Sequence, residues 1–188
     1  MLRPKIILSL ILILVLLSGA GLTIHLIKSS NRSTNRVSFR EVSNNPIPKI
    51  DLKPGSDPIY KTTCGGCHFP YPPGLLPGAS WKIIIDRLPD HFGDQVTFDP
   101  KSKETLIRYL MENGADRSSA KKPVKIMNSL NGRSVLRITE IPYIRKKHRG
   151  IKPEIFNRTA IGSFSNCIAC HKTAEQGNFD DDQVVIPQ

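Results

Sequence analysis

The four cysteines of this 188-residue chain fall in two clusters of one form, Cys64-Gly65-Gly66-Cys67-His68 and Cys167-Ile168-Ala169-Cys170-His171. Two thiols three positions apart, followed at once by an imidazole, make the C-x-x-C-H pattern of covalent c-type haem attachment. On one helical turn both sulfurs reach the two vinyl groups of one porphyrin, and the next residue swings under the iron. The pattern predicts thioether bonds from Cys64, Cys67, Cys167 and Cys170, proximal iron ligation by His68 and His171, and two covalently bound haem c groups as cofactors. A zinc site built from the two pairs competes poorly. Zinc ribbons separate their pairs by about 15–20 residues, far less than the stretch from Cys67 to Cys167, and zinc has no need of a histidine directly after each pair. A thioredoxin-like redox motif would need one pair in a βαβ setting, and no such setting is visible.

Counting narrows the sixth ligands. Of five histidines, His25 lies in an apolar N-terminal run and two are proximal, which leaves His91 and His148, one for each iron. His91 follows a helix stop in Pro89-Asp90-His91-Phe92-Gly93, where a turn can aim the ring. His148 lies in Arg145-Lys146-Lys147-His148-Arg149, where membership of a solvated basic face is the competing role. Methionine ligation would raise the potential relative to two histidines. Met111 lies on the apolar stripe of a helix, which suits packing, and Met127 follows a basic run with nothing to mark it as a ligand.

The elements that must position these residues are helical. Trp81, Ile84, Ile85 and Leu88 share one face, and Pro89 stops the pattern. A second helix opens with Asp99 as N-cap and Pro100 in the first turn, carries Leu106, Ile107, Leu110 and Met111 on one stripe, and stops at Gly114. Val135 to Ile144 reads as extended, and a last short helix spans Ser163 to Gln176, closed by Gly177. The fold class is mainly α. The chain divides into 1–27, a signal-anchor or transmembrane segment; 28–57, a linker with one docked strand around Ile50; 58–116, a small α domain with the first haem; and 117–188, a second small haem domain with little regular structure.

Ile6 to Ile27 is a run of 22 residues without a charge, and about 20 suffice to span a bilayer as a helix. Arg3, Lys5 and the terminal amine flank it. A cleavable signal peptide ending at Ser18-Gly19-Ala20 is the other reading. The apolar run continues past that site, which favours a retained anchor, with His25 as an interfacial residue. Both readings place the remainder on the periplasmic side of a bacterial inner membrane, where covalent haem attachment takes place.

The net charge is +11, from 27 Lys and Arg against 16 Asp and Glu. Arg117 to Lys152 holds eleven basic residues and one acid, Glu140. Haem propionates are natural partners for some of these cations. The others suit docking to an acidic redox protein. Nucleic acid is a poor fit, because aromatic and basic residues are not interleaved. Aromatics make up 6% of the chain, thin for two cores unless haem fills them.

The string from Cys64 to Trp81, with Tyr71-Pro72-Pro73-Gly74-Leu75-Leu76-Pro77 inside it, resembles the dihaem cytochrome c family of bacterial periplasmic electron carriers. Asp90-His91-Phe92-Gly93, Arg137-Ile138-Thr139-Glu140, His148, the second cluster and the tail to Pro187 carry the likeness on, across roughly residues 58 to 188. The resemblance implies two small domains with one haem each. The first is then like a single-haem cytochrome c, with Lys101 to Asn113 as its C-terminal helix and Tyr109 near the haem. It also implies low-potential bis-histidine haems, with His91 and His148 matching the family's extra histidines. A small oxygen-binding haem protein is implied as electron acceptor and a membrane b-type cytochrome as donor. The apolar N-terminus departs from the soluble secreted members.

An electron carrier is therefore expected. A haem peroxidase or nitrogen-oxide reductase would need an open iron position and a distal acid-base residue, and no histidine is spare for that. A gas or redox sensor with a labile distal ligand is the third reading.

Overall fold

Residues 52–188 are described by the structure, a computed structural model, and every element below belongs to that stretch. The expected N-terminal span from Ile6 to Ile27, His25, the strand around Ile50 and most of the linker lie outside it. Among the described residues no helix is long and apolar enough to cross a membrane.

Seven short α-helices and intervening 3-10 turns build the fold, and no strand forms among the described residues. Helix α1 (Pro58–Cys64) begins where Asp57 accepts a hydrogen bond from the Tyr60 amide at 2.9 Å, and it delivers Cys64 at its last position. Helix α2 (Gly78–Asp86) buries Trp81, Ile84 and Ile85, with Leu88 buried just beyond its end. Its Trp81 indole N–H donates to the Pro73 carbonyl at 2.7 Å, so the ring is anchored as well as buried. A 3-10 turn, Leu88–Asp90, follows the helix where Pro89 was expected to stop it.

Helix α3 (Pro100–Glu112) starts as expected, with the Asp99 carboxylate accepting from the Ser102 amide at 3.0 Å. Leu106 and Leu110 on its apolar face are fully buried, each worth about 1.5–3 kcal/mol of transfer free energy. The helix ends at Glu112 with Asn113 as its C-cap, one residue before Gly114. Gly114 does not act as a left-handed cap, since its φ is −63°. Its missing side chain instead lets the α2 entry approach, because a Cβ there would stand 2.6 Å from the Gly78 amide nitrogen.

Three departures follow from local chemistry. Helix α4 (Lys121–Leu130) occupies a stretch that its charge density obscured; it buries Pro123, Ile126 and Leu130 and ends on left-handed Asn131. Pro123 is tolerated because the first-turn amides of a helix have no intrahelical acceptor to lose. Val135 to Ile144, expected to be extended, contains the 3-10 turn Ile138–Glu140 and then enters helix α5 (Pro142–His148). There Pro142 pre-sets the first helical φ and overrides the β-branched composition. After α6 (Pro153–Phe156), the helix expected over Ser163–Gln176 is two separate pieces, α7 (Cys167–Cys170) and the 3-10 turn Ala174–Gln176. Side-chain bonds from Ser163 to the Ser165 amide and from Asn166 to the Ile161 carbonyl hold residues 161–166 in turns, competing with helix. Gly177 closes the last turn with φ +76°, as expected of a left-handed cap.

One apolar core joins these pieces, running from Leu52 and Tyr60 through Trp81, Leu106, Leu110, Ile126 and Ile141 to Phe179. Helix α2 packs on α3, α1 on α3, and α4 on α5. Their exposed ends and the loops between them carry the four histidines.

Candidate haem centres

The four histidines among the described residues form two pairs, each facing across a cavity. His68 and His91 have ring centroids 6.2 Å apart with planes inclined by 16°. His148 and His171 are 6.0 Å apart with planes inclined by 71°. A metal–imidazole bond is about 2 Å and the ring nitrogen lies about 1 Å from its centroid, so two axial imidazoles on one iron stand about 6 Å apart. Both separations fit that span, and each joins one expected proximal histidine to one expected distal histidine. The pairing also follows chain proximity.

Backbone geometry explains how each ring is aimed. His68 follows the turn after α1, and its Nδ1–H donates to the Phe69 carbonyl at 2.8 Å. His148 is the last residue of α5, and its Nδ1–H donates one turn back to the Ile144 carbonyl at 2.8 Å. In both, the donor role of Nδ1 leaves the Nε2 lone pair for a metal. His171 leaves α7 with φ −93° and ψ 84°, outside the helical region, which swings the ring off the helix. His91 sits at the start of a two-residue hairpin turn. Its amide and carbonyl pair with Asp94, while Phe92 and Gly93 take φ +57° and +108°, the signature of a type I′ turn.

The first cavity has a volume of about 300 Å³ and is walled by Leu76, Trp81, Ile84 and Leu136, with Tyr71 and Arg137 at its margin. The second, about 350 Å³, is walled by Ile144, Ile161, Phe156, Phe164 and Phe179, with Cys167 and Cys170 on one side. Concave, mostly apolar sites of this size suit a large flat cofactor. Ile138, Thr139 and Cys167 line both cavities, so the two are neighbours across a single wall. Tyr71, in the first segment, donates its hydroxyl to the Ser165 carbonyl in the second at 2.8 Å.

Burial shapes the ionisable groups. It lowers His91, with help from His68, and lowers His171 to about 4, with help from His148 and Lys122. Both imidazoles are thereby kept neutral, the form that binds a metal. Burial also pushes the Cys64 and Cys167 thiols up to about 11 and raises Cys170. A redox-active C-x-x-C pair lowers a thiol instead. Among the described residues no three His, Cys, Asp or Glu side chains gather to hold a metal ion, so the zinc arrangement is not formed.

Neither Met111 nor Met127 lines either of these two cavities: Met127 packs on the core, and Met111 lies where α3 meets Gly78. Tyr109 packs against Tyr60 at 5.6 Å with the rings tilted by 43°, and it does not line the first cavity. Sequence reasoning missed the aromatic surround of the second pair. Phe164 lies 5.1 Å from His148, Phe156 lies 4.6 Å from Phe164, and Phe179 lies 5.2 Å from His171. The signal was present, since three of the seven phenylalanines fall within the last 33 residues. Arg137, read from the sequence as part of a motif without a stated role, has its guanidinium 4.2 Å over the Phe92 ring, beside His91.

The sequence profile described as dihaem cytochrome c matches residues 60–179. A diheme cytochrome c from Rhodobacter sphaeroides is 36% identical, covering 68% of this chain and 100% of its own, with a TM-score of 0.60. A diheme cytochrome type c from Shewanella baltica OS155 is 34% identical, covering 69% of this chain and 92% of its own, with a TM-score of 0.57. The chain belongs to the dihaem cytochrome c family. Comparison with curated proteins finds no match. Membership makes it an electron-transfer haem protein with two covalently bound haem c groups. The donor set fits that cofactor, with two C-x-x-C-H clusters, two imidazole pairs at iron-spanning separation and two apolar cavities.

Proposed function

We propose that this dihaem cytochrome c carries electrons through two six-coordinate, low-spin, low-potential centres. Cys64 and Cys67 attach one haem, and His68 and His91 hold its iron. Cys167 and Cys170 attach the other, and His171 and His148 hold its iron. The observation that carries the reading is the near-equal separation of the two imidazole pairs. When bound, haem c supplies a one-electron iron couple, and two histidine ligands place it lower than a methionine–histidine set would. The residues 58–116 and 117–188 are read as the segments serving the first and second haem.

The chain's own side chains do the remaining work. Leu76, Trp81, Ile84 and the three phenylalanines exclude water from the two cavities. The carbonyls of Phe69 and Ile144 fix two of the rings. Imidazoles on both sides of each cavity leave no position for substrate, which separates this reading from a peroxidase, a nitrogen-oxide reductase or a gas sensor. The 22-residue uncharged N-terminal run supports a periplasmic domain tethered to the inner membrane. The basic stretch around α5 supports docking of an acidic redox protein. A small oxygen-binding haem protein as acceptor and a membrane b-type cytochrome as donor agree with the family resemblance.

Optical spectra of the holoprotein with and without carbon monoxide test the ligand assignment. The unmodified protein should show two low-spin haems that ignore carbon monoxide. His91→Ala and His148→Ala should each convert one haem to high spin and create one carbon monoxide site. A variant that keeps two low-spin haems would remove that histidine from the assignment.

A further inference from the structure

The two imidazole pairs are alike in separation and unlike in orientation, 16° between planes in the first and 71° in the second. When two imidazoles bind one iron through Nε2, both ring planes contain the axial direction. The interplanar angle is then the dihedral between the ligand planes. We propose that the first centre is a parallel-plane site and the second a crossed-plane site, and that Phe164 with the Ile144 carbonyl positions His148 crosswise. This rests on the axial assignment given above.

The contacts around each ring supply the reason. His148 is held twice. Its Nδ1–H is tied to the Ile144 carbonyl at 2.8 Å, and the Phe164 ring abuts it edge-on, 69° between planes at 5.1 Å. Phe164 is itself backed by Phe156 at 4.6 Å, so it cannot swing aside freely. Turning the His148 ring toward the plane of His171 would break the hydrogen bond and drive the ring edge into Phe164. In the first centre His68 is fixed by the Phe69 carbonyl and by Tyr71 at 5.2 Å. The ring contacts of His91 are with the neighbouring Phe92, at 5.0 Å, and with His68; Asp94 and Arg137 lie nearby, and no side-chain hydrogen bond sets its rotation among the described residues. The His91 plane is thus set by its turn, whereas the His148 plane is set by packing.

The orientation has an electronic consequence. Each imidazole donates π density into the iron d orbital perpendicular to its ring plane. Parallel rings act on the same orbital and split the dxz and dyz pair, which in a low-spin ferric haem gives a resolved rhombic three-line spectrum. Crossed rings act on both orbitals alike and leave the pair nearly degenerate, which gives one strongly anisotropic feature at low field. Two haems with the same ligands would then carry different signatures.

Electron paramagnetic resonance of the oxidised holoprotein at liquid-helium temperature tests this. The expected spectrum is the sum of one rhombic and one strongly anisotropic low-spin component, each accounting for one haem. In His91→Ala the rhombic component should disappear and the anisotropic one remain. Phe164→Ala should move the anisotropic feature toward a rhombic pattern with the first component unchanged, and Phe164→Tyr, which keeps the ring edge, should restore it. Phe164→Leu provides the same test should the alanine variant fail to mature. Two rhombic components in the unmodified protein would overturn the proposal, as would an anisotropic feature that Phe164→Ala and Phe164→Leu leave unmoved. A high-spin signal in the unmodified protein is a different failure, because it would overturn the axial assignment itself.

Discussion

The Leu52 amide donates to the Gly177 carbonyl at 3.0 Å, and a Cβ added to Gly177 would lie 1.8 Å from the Leu52 carbonyl oxygen. This contact staples the segment before the first cysteine cluster onto the turn after the second. Leu52 is itself buried, so the staple carries a core residue into place. The two haem-binding stretches are held as one body partly by this backbone closure.

Gly177→Ala should therefore be among the most disruptive small substitutions outside the ligands. Gly177 takes φ +76°, and an L-residue in the left-handed region costs about 1–2 kcal/mol before any clash is counted. Denaturant unfolding of the holoprotein should show at least that loss, with the haem spectrum of the folded state unchanged. A loss no greater than the backbone cost would mean that the Leu52 segment is not docked there, and no loss at all that Gly177 also leaves the left-handed region.

The turn carrying His91 has a different balance. Phe92 is 45% exposed, at φ +57°, under the Arg137 guanidinium. The cation–π contact is worth about 0.5–1 kcal/mol at an exposed site, while the left-handed backbone costs a comparable amount or more. Phe92→Ala loses the contact and keeps the strain, whereas Phe92→Gly loses the contact and relieves it. The glycine variant should be more stable than the alanine variant by about 1 kcal/mol. Equal stability by thermal unfolding would show that the turn relaxes out of the left-handed region.

Much of this was legible from residue type and spacing. The two C-x-x-C-H clusters named both cofactors, and spacing and counting singled out the four histidines that the structure brings together in two pairs. Asp99-Pro100 marked the start of α3, and the Trp81–Leu88 face marked α2. Less legible were elements governed by single prolines or by side-chain turns. Pro142 starts a helix inside a β-branched stretch, and Ser163, Ser165 and Asn166 break what reads as one helix before Cys167. Helix α4 was hidden because its buried face is only Pro123, Ile126 and Leu130 among lysines. The phenylalanines around His148 and His171 lacked a periodic signal altogether, since they line a cavity and not a helix face.

Tyr71 bridges the two cysteine-bearing stretches through its hydroxyl, which donates to the Ser165 carbonyl at 2.8 Å across 94 positions of chain. Tyr71→Phe removes that donor and leaves the ring. A loss of about 1 kcal/mol is expected, together with faster hydrogen exchange over residues 163–167, measured by mass spectrometry. Unchanged exchange there would mean that the turn before Cys167 is held by its own serine and asparagine bonds alone.

Tyr60 gives the fold an alkaline limit. It is buried beneath Tyr109 and donates its hydroxyl to the Tyr71 carbonyl at 2.6 Å. Burial first, then the neighbouring Cys64, Tyr109 and Tyr71, push its pKa well above the ordinary value. Thioether formation at Cys64 removes that sulfur's charge and leaves the burial effect. An acid whose folded pKa is raised favours the folded state fully below its unfolded pKa, near 10 for tyrosine. That contribution is lost as pH rises above the unfolded value toward the folded one, because the unfolded chain ionises first. Tyr60→Phe has no such group, yet it loses a hydrogen bond worth about 1 kcal/mol at neutral pH. The wild type should therefore be the more stable protein at pH 7, and the gap should close and then reverse as pH climbs past about 10. Denaturant midpoints measured for both proteins across that range decide the matter. A constant gap would mean that the hydroxyl ionises in the folded protein as readily as in the unfolded chain.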